Sequence, residues 1–143
     1  MATRQQSGPP YELEFYVDAN GKEVVREWLR GLSLRKKQII GATMNEVLQH
    51  LGVGVCETKF GRQLGGGLFE FRVRVDAGSV QPGLPPEKVL LRVFCHAHGN
   101  RIVLLLGGYD KGEDPSAKRQ QAEIELARKR LAEWRSRQAG NRG

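Results

Sequence analysis

Residues Leu68 to Val75, Leu-Phe-Glu-Phe-Arg-Val-Arg-Val, alternate apolar and charged side chains with a period of two. That period belongs to a β-strand, because successive Cβ atoms leave opposite faces of a sheet. Phe69, Phe71, Val73 and Val75 therefore share one face, and Glu70, Arg72 and Arg74 share the other. The charged face reads in two ways. A rigid strand carrying two arginines beside a glutamate suits a phosphate; the same residues also make an ordinary solvated face with a local Glu–Arg pair.

With 143 residues the chain is expected to fold as one domain over 11–137, after a disordered lead-in (1–10) and before a disordered tail (138–143). Lys plus Arg number 23 against 16 Asp plus Glu, a net charge of +7. Up to Thr58 seven basic residues balance seven acidic ones, so the whole excess lies beyond that point. Such polarity points to a polyanionic partner on one side of the molecule. Cys56 and Cys95 form no Cys-x-x-Cys pair, which gives neither a disulfide framework nor a zinc signature. The first ten residues lack the apolar core of a signal peptide, and no run approaches the ~20 apolar residues of a membrane span. The expectation is a soluble cytoplasmic protein with no membrane partner.

Alternation over 11–17 predicts a first strand. Val24, Val25, Trp28, Leu29 and Leu32 then repeat at helical spacing, and Ser33 caps a second helix running to about Leu51, with the stripe Ile40, Met44, Val47, Leu48 and Leu51. Together these predict a helical hairpin on a sheet. Strands follow at 68–75, 88–95 and 101–106, the last two joined by the turn His96-Ala-His-Gly-Asn100. The unbroken apolar run Ile102 to Leu106 predicts a strand covered on both faces. A final helix begins at Pro115, capped by Asp114, with Ala117, Ile124, Ala127, Leu131 and Trp134 on one side. The order βααβββα is that of an α+β domain with a small, mostly antiparallel sheet.

Arg92 stands in the apolar strand Val89-Leu-Leu-Arg-Val-Phe-Cys95. A charge there is costly unless it is paired or reaches water at a concave surface. If this strand pairs with 68–75, Arg92 joins Glu70, Arg72 and Arg74 on one face, either as a structural Glu70–Arg92 ion pair or as part of a phosphate site. Lys111 follows the last strand in a glycine-flanked loop, within reach of an anion or simply solvated. Lys59 and Arg62 precede Gly65-Gly-Gly67, but the Gly-x4-Gly-Lys-Ser/Thr pattern of a P-loop is absent. Cys95-His-Ala-His98 has too few neighbouring donors for a metal site and reads first as a polar hairpin tip. No Gly-x-Ser-x-Gly elbow is present.

The sequence Lys59-Phe-Gly-Arg-Gln-Leu-Gly-Gly-Gly-Leu-Phe-Glu-Phe-Arg72, then Leu91-Arg-Val-Phe94, then Arg101-Ile-Val-Leu-Leu-Leu-Gly-Gly-Tyr-Asp-Lys111, then a basic final helix, resembles the phage-derived, HigB-like branch of RelE-type toxins over about residues 11–134. The resemblance implies a RelE-like fold and the toxin of a type II toxin–antitoxin system. It implies a ribosome-dependent mRNA endoribonuclease, without cofactor or metal, partnered by a helix-turn-helix antitoxin in a toxin–antitoxin hetero-oligomer. By position, Glu70, Arg72, Arg92 and Lys111 match the catalytic residues, while Lys59, Arg62, Arg74 and Tyr109 are the RNA-binding candidates. The implied chemistry is attack of a ribose 2′-hydroxyl on the adjacent phosphate. Arg72 and Arg92 would stabilise charge on phosphate oxygens, Lys111 would assist the leaving oxygen and Glu70 would act as base.

The chain departs from the family in Asp110-Lys-Gly-Glu-Asp114, where relatives are lysine-rich, and in the long connection at 76–86. Acidic neighbours oppose RNA. The competing expectation is a catalytically weak or inactive protein of the same fold that binds RNA or an antitoxin-like partner. A DNA-binding regulator fits less well, because no helix-turn-helix pair lies in the basic half.

Overall fold

The computed structural model describes residues 10–76 and 87–141. They form an α+β domain around an open, mixed five-stranded sheet of order β1-β5-β4-β3-β2. The strands are β1 (Glu12–Phe15), β2 (Gly61–Gly65), β3 (Leu68–Val75), β4 (Val89–His98) and β5 (Ile102–Asp110). Only β1 and β5 pair in parallel; the other three pairings are antiparallel. The helices α1 (Val24–Arg30) and α2 (Leu34–Thr43) lie on one face, and the long α4 (Ala117–Asn141) covers the other.

Each face has its own core. Phe69, Phe71 and Val73 of β3, with Leu91, Val93, Val103 and Leu105, pack against Val25, Ile40, Met44 and Leu48. Phe94, Leu104, Leu106 and Tyr109 pack beneath Ile124, Ala127 and Leu131. The run Ile102 to Leu106 is thus divided between both layers, as its lack of alternation predicts. Fully burying side chains of this size contributes roughly 1.5–3 kcal/mol each.

Ser33 caps α2 as expected, its Oγ accepting from the Lys36 N–H at 3.3 Å. The helix does not continue as one α-helix to Leu51. The Thr43 hydroxyl donates to the Ile39 carbonyl at 2.7 Å, a contact that bends helices. A π-helical turn (Met44–Leu48), the short α3 (Gln49–Leu51) and a 3-10 turn (Gly52–Glu57) follow. Leu51 accordingly leaves the stripe and is 42% exposed.

Five strands stand where the sequence led us to expect four. The additional one, β2, carries little β-forming side-chain signal, and it returns to β3 through Gly66 and Gly67. Gly65, Gly66 and Gly67 all have positive φ, from 66° to 90°, a backbone region open to glycine and strained for other residues. Strand β1 is shorter than 11–17; Val17 makes only an isolated bridge to Glu23. Strand β4 extends through His96 and His98, so the turn is tighter than expected, and β5 runs on through Tyr109 and Asp110. Ser116, rather than Asp114, caps α4: its Oγ accepts from the Arg119 N–H at 3.1 Å, while Asp114 accepts from the Ser116 N–H. Residues 138–141, expected as tail, continue that helix. The lead-in at 1–9 and the connection at 77–86 lie outside the described residues.

One irregularity decides what faces α4. Phe94 opposes Gly107 and Cys95 opposes Leu105, leaving Leu106 as the extra residue of a β-bulge in β5. A bulge reverses the alternation beyond it. Tyr109 therefore joins Leu104 and Leu106 beneath α4, while the Asp110 carboxylate receives a 2.6 Å hydrogen bond from Lys36 Nζ on α2. Gly108 lies against Trp28 of α1, where a Cβ would meet the indole at 2.5 Å.

Candidate functional site

The polar face of β3 is where the sequence puts it, solvated at Arg74 but closed over at Glu70. Glu70 is completely buried. Its Oε1 accepts from Arg72 Nε at 2.8 Å, with Arg92 Nε at 3.8 Å and Arg62 Nε at 3.9 Å from the same oxygen. Its Oε2 accepts from Gln120 Nε2 of α4 at 3.1 Å. The β-ladders explain the convergence: Arg62 of β2 lies opposite Glu70, Arg72 opposite Arg92, and Arg92 opposite Tyr109. Four neighbouring strands thus each contribute one residue or more to the same spot.

Lys111, just past β5, is tied by its backbone N–H to the Leu90 carbonyl at 2.9 Å. Its Nζ donates to Gln120 Oε1 at 3.1 Å. Burial, followed by the guanidinium of Arg92, draws its ammonium below the ordinary lysine value, with Arg72 and Arg62 adding to the effect and Glu70 opposing it. Burial likewise draws the Arg92 guanidinium below the usual arginine value, against the opposing pull of Glu70. It remains a cation at any physiological pH.

A cleft of about 510 Å³ opens beside this cluster, lined by Lys59, Phe60, Arg72, Arg74, Asp76 and Arg92. Arg72 and Arg92 belong both to the Glu70 cluster and to the cleft wall, so their cationic edges connect the buried carboxylate to an open, positively charged surface. Lys59 sits over the Phe60 ring at 5.4 Å, and Arg74 is exposed and paired with Asp76 at 2.9 Å. All eight residues singled out from the sequence belong to the cluster, the cleft or the wall beneath them.

Two roles change on inspection. Glu70 is poorly placed as a base: both oxygens are engaged and none of the side chain reaches solvent, so it orients arginines. Tyr109 presents no open ring for a base to stack on, since it is fully buried, stacked on Phe94 with centroids 6.2 Å apart and overlain by Arg119 at 5.1 Å. Burial raises its hydroxyl above the ordinary tyrosine value. That hydroxyl and Arg92 Nε are buried polar atoms without a hydrogen-bond partner, which is uncommon in a native interior.

The sequence reading missed Gln120. The signal was present: residue 120 continues the spacing of Ala117, Ile124, Ala127, Leu131 and Trp134, so a glutamine interrupts the sheet-facing side of α4. Asp110, the first acid of Asp110–Asp114, is also less adverse to an anion than the sequence suggests, because the bulge turns it to the opposite face. Cys95 is buried, His96 Nδ1 is 2.8 Å from the Gly67 carbonyl, and His98 Nε2 is 2.6 Å from Glu14 Oε1. No described group of three or more His, Cys, Asp or Glu side chains is arranged to hold a metal. No helix among the described residues is long and apolar enough to cross a membrane.

The arrangement can bind a multiply charged oxyanion: Arg62, Arg72, Arg92 and Lys111 surround one carboxylate that cannot neutralise them all. In comparisons with known proteins, the chain matches no family model and no curated protein.

Proposed function

We propose that this chain is the RelE/HigB-like toxin of a type II toxin–antitoxin pair, an endoribonuclease that cuts mRNA on the ribosome in the cytoplasm and is neutralised by a helix-turn-helix antitoxin. The reading rests on one observation: Arg72 and Arg92 stand side by side on paired strands, held by a buried glutamate and opening onto a cationic cleft. Preorganised guanidiniums of this kind stabilise charge as it develops on a phosphate in the transition state. The ribose 2′-oxygen would attack the adjacent phosphorus, its hydroxyl proton passing to solvent water, and the P–O5′ bond would break, leaving a 2′,3′-cyclic phosphate and a 5′-hydroxyl. Arg72 and Arg92 would bind the non-bridging oxygens, and Lys111 would protonate the departing 5′-oxygen. A lysine held below its ordinary value by burial is a better proton donor than a solvated one.

A second reading draws on the state of Glu70. A carboxylate fully sequestered among arginines is also what a structural ion-pair cluster looks like, and that favours a non-catalytic protein binding RNA or an antitoxin-like partner. Primer extension on a defined mRNA, with purified protein and with or without translating ribosomes, separates the two. Ribosome-dependent cuts that vanish in folded Arg72→Ala and Arg92→Ala variants support the nuclease. Silence of the parent protein beside an active control toxin supports the binder.

A further inference from the structure

We infer that Gln120 is a positioning residue: its amide spans Glu70 and Lys111 and fixes the lysine's ammonium beside the arginines, so that α4 completes the cationic site. The inference rests on the nuclease reading for what the site acts on, and on geometry alone for the bridge.

A carboxylate can only accept hydrogen bonds and an ammonium can only donate them. A neutral side chain joining the two must carry a donor at one end and an acceptor at the other, as an amide does. Gln120 Nε2 lies 3.1 Å from Glu70 Oε2 and Gln120 Oε1 lies 3.1 Å from Lys111 Nζ. The two partners fix which end of the amide is which, because the reverse orientation would set acceptor against acceptor and donor against donor. A glutamate at 120 would face Glu70 with like charge, and a leucine would satisfy neither neighbour.

Lys111 requires such a partner. Arg92, Arg72 and Arg62 repel its charge, and Glu70 is occupied by Arg72. Without an acceptor on the far side, a flexible four-carbon stem would carry the ammonium out to water. Gln120 supplies that acceptor from the first turns of α4, where its own N–H is bonded to the Ser116 carbonyl at 3.2 Å. The helix therefore sets the position of a residue that belongs to the strand side of the site.

The test measures single-turnover cleavage of a defined mRNA on ribosomes by the parent, Gln120→Leu, Lys111→Met and the double variant, with Gln120→Met as a second apolar replacement. Alongside it, the carbon NMR titration of the Lys111 Cε is compared between the parent and Gln120→Glu. Gln120→Leu should slow cleavage about tenfold or more while leaving affinity for a 2′-deoxy-substituted, uncleavable RNA oligonucleotide nearly unchanged. In the Lys111→Met background it should cause no further loss. In Gln120→Glu the Lys111 titration should move upward, because a carboxylate replaces an amide beside it. Equal slowing in both backgrounds, or a Lys111 titration that does not move, overturns the bridge. If the parent protein cuts nothing, the nuclease reading fails and the titration alone decides the inference.

Discussion

Cations gather at both ends of α4, yet those at each end do different work. Toward its C-terminus, Arg128 donates to the Leu64 and Gly65 carbonyls, Arg135 to Gly66, Arg130 to Leu106 and Arg137 to Val17. Each of these guanidiniums reaches backbone, pinning the glycine turn, the β5 bulge and the segment after β1 to the helix. Toward its N-terminus, Arg62, Arg72, Arg92 and Lys111 crowd around Glu70, and Arg92 Nε and the Tyr109 hydroxyl have no hydrogen-bond partner. Satisfied cations hold a fold together; an excess of partly satisfied ones is a site in waiting. Net charge alone does not separate the two, because both ends count equally toward +7.

The strongest challenge to this contrast is Glu70→Ala. Removing the carboxylate bonded to Arg72 leaves the buried Arg92 and the half-buried Arg72 uncompensated, and the expected loss is about 3–5 kcal/mol in urea unfolding. A loss of less than about 1 kcal/mol would mean that the cluster is solvated in solution and that Glu70 does not organise it. Arg92→Met comes next and should split stability from activity. Replacing a partly satisfied buried cation by an apolar chain of similar length should leave stability within about 1 kcal/mol of the parent or raise it. Cleavage, if the nuclease reading holds, should fall by about 10²–10³. A variant that unfolds while a folded fraction retains full activity would assign Arg92 to the structural end of the comparison instead.

How much of this was legible in the sequence follows the same division. The alternation of β3 identified its two faces, and one arginine in an apolar strand identified β4's contribution, because period-two patterning and the cost of burying charge act locally. Strand β2 was hidden because Gly61-Arg-Gln-Leu-Gly65 is held by its ladder to β3 and by Arg128, interactions from outside the segment. The β5 bulge was hidden for a related reason: Leu-Gly-Gly-Tyr-Asp does not state which residue is extra, and only pairing with β4 turns Tyr109 inward and Asp110 outward. Glu70 was correctly placed on a polar face, but its complete burial depends on a helix starting 47 residues later.

At the satisfied end the expected effects are smaller. Arg128→Ala removes two charge-assisted hydrogen bonds, of 3.0 Å to the Gly65 carbonyl and 2.5 Å to the Leu64 carbonyl, from an exposed side chain. About 1 kcal/mol of stability should be lost, with faster amide exchange in the β2–β3 turn and, on the nuclease reading, no change in cleavage by folded protein. A fall in cleavage out of proportion to the lost stability would place Arg128 on the RNA path and erase the distinction between the two ends.

The smallest expected effect concerns His96, at the same turn. Its Nδ1 faces the Gly67 carbonyl, which can only accept, so that nitrogen carries the hydrogen in the neutral ring. Burial draws the imidazole below its ordinary value of 6.5; Arg135 and His98 act in the same direction, and only the bond to Gly67 opposes them. Trp134 packs edge-on at 5.7 Å from the other side. A group whose folded value lies below its unfolded one favours folding when neutral. The stability it contributes is fully present above pH 6.5 and is lost as pH falls through the lowered folded value. Urea unfolding followed downward from pH 7.5 should therefore lose stability through this window, and His96→Gln should flatten the profile there while leaving the alkaline side unchanged. An unaltered slope would assign the acid sensitivity to other groups and leave the turn held by Arg128 and Arg135 alone.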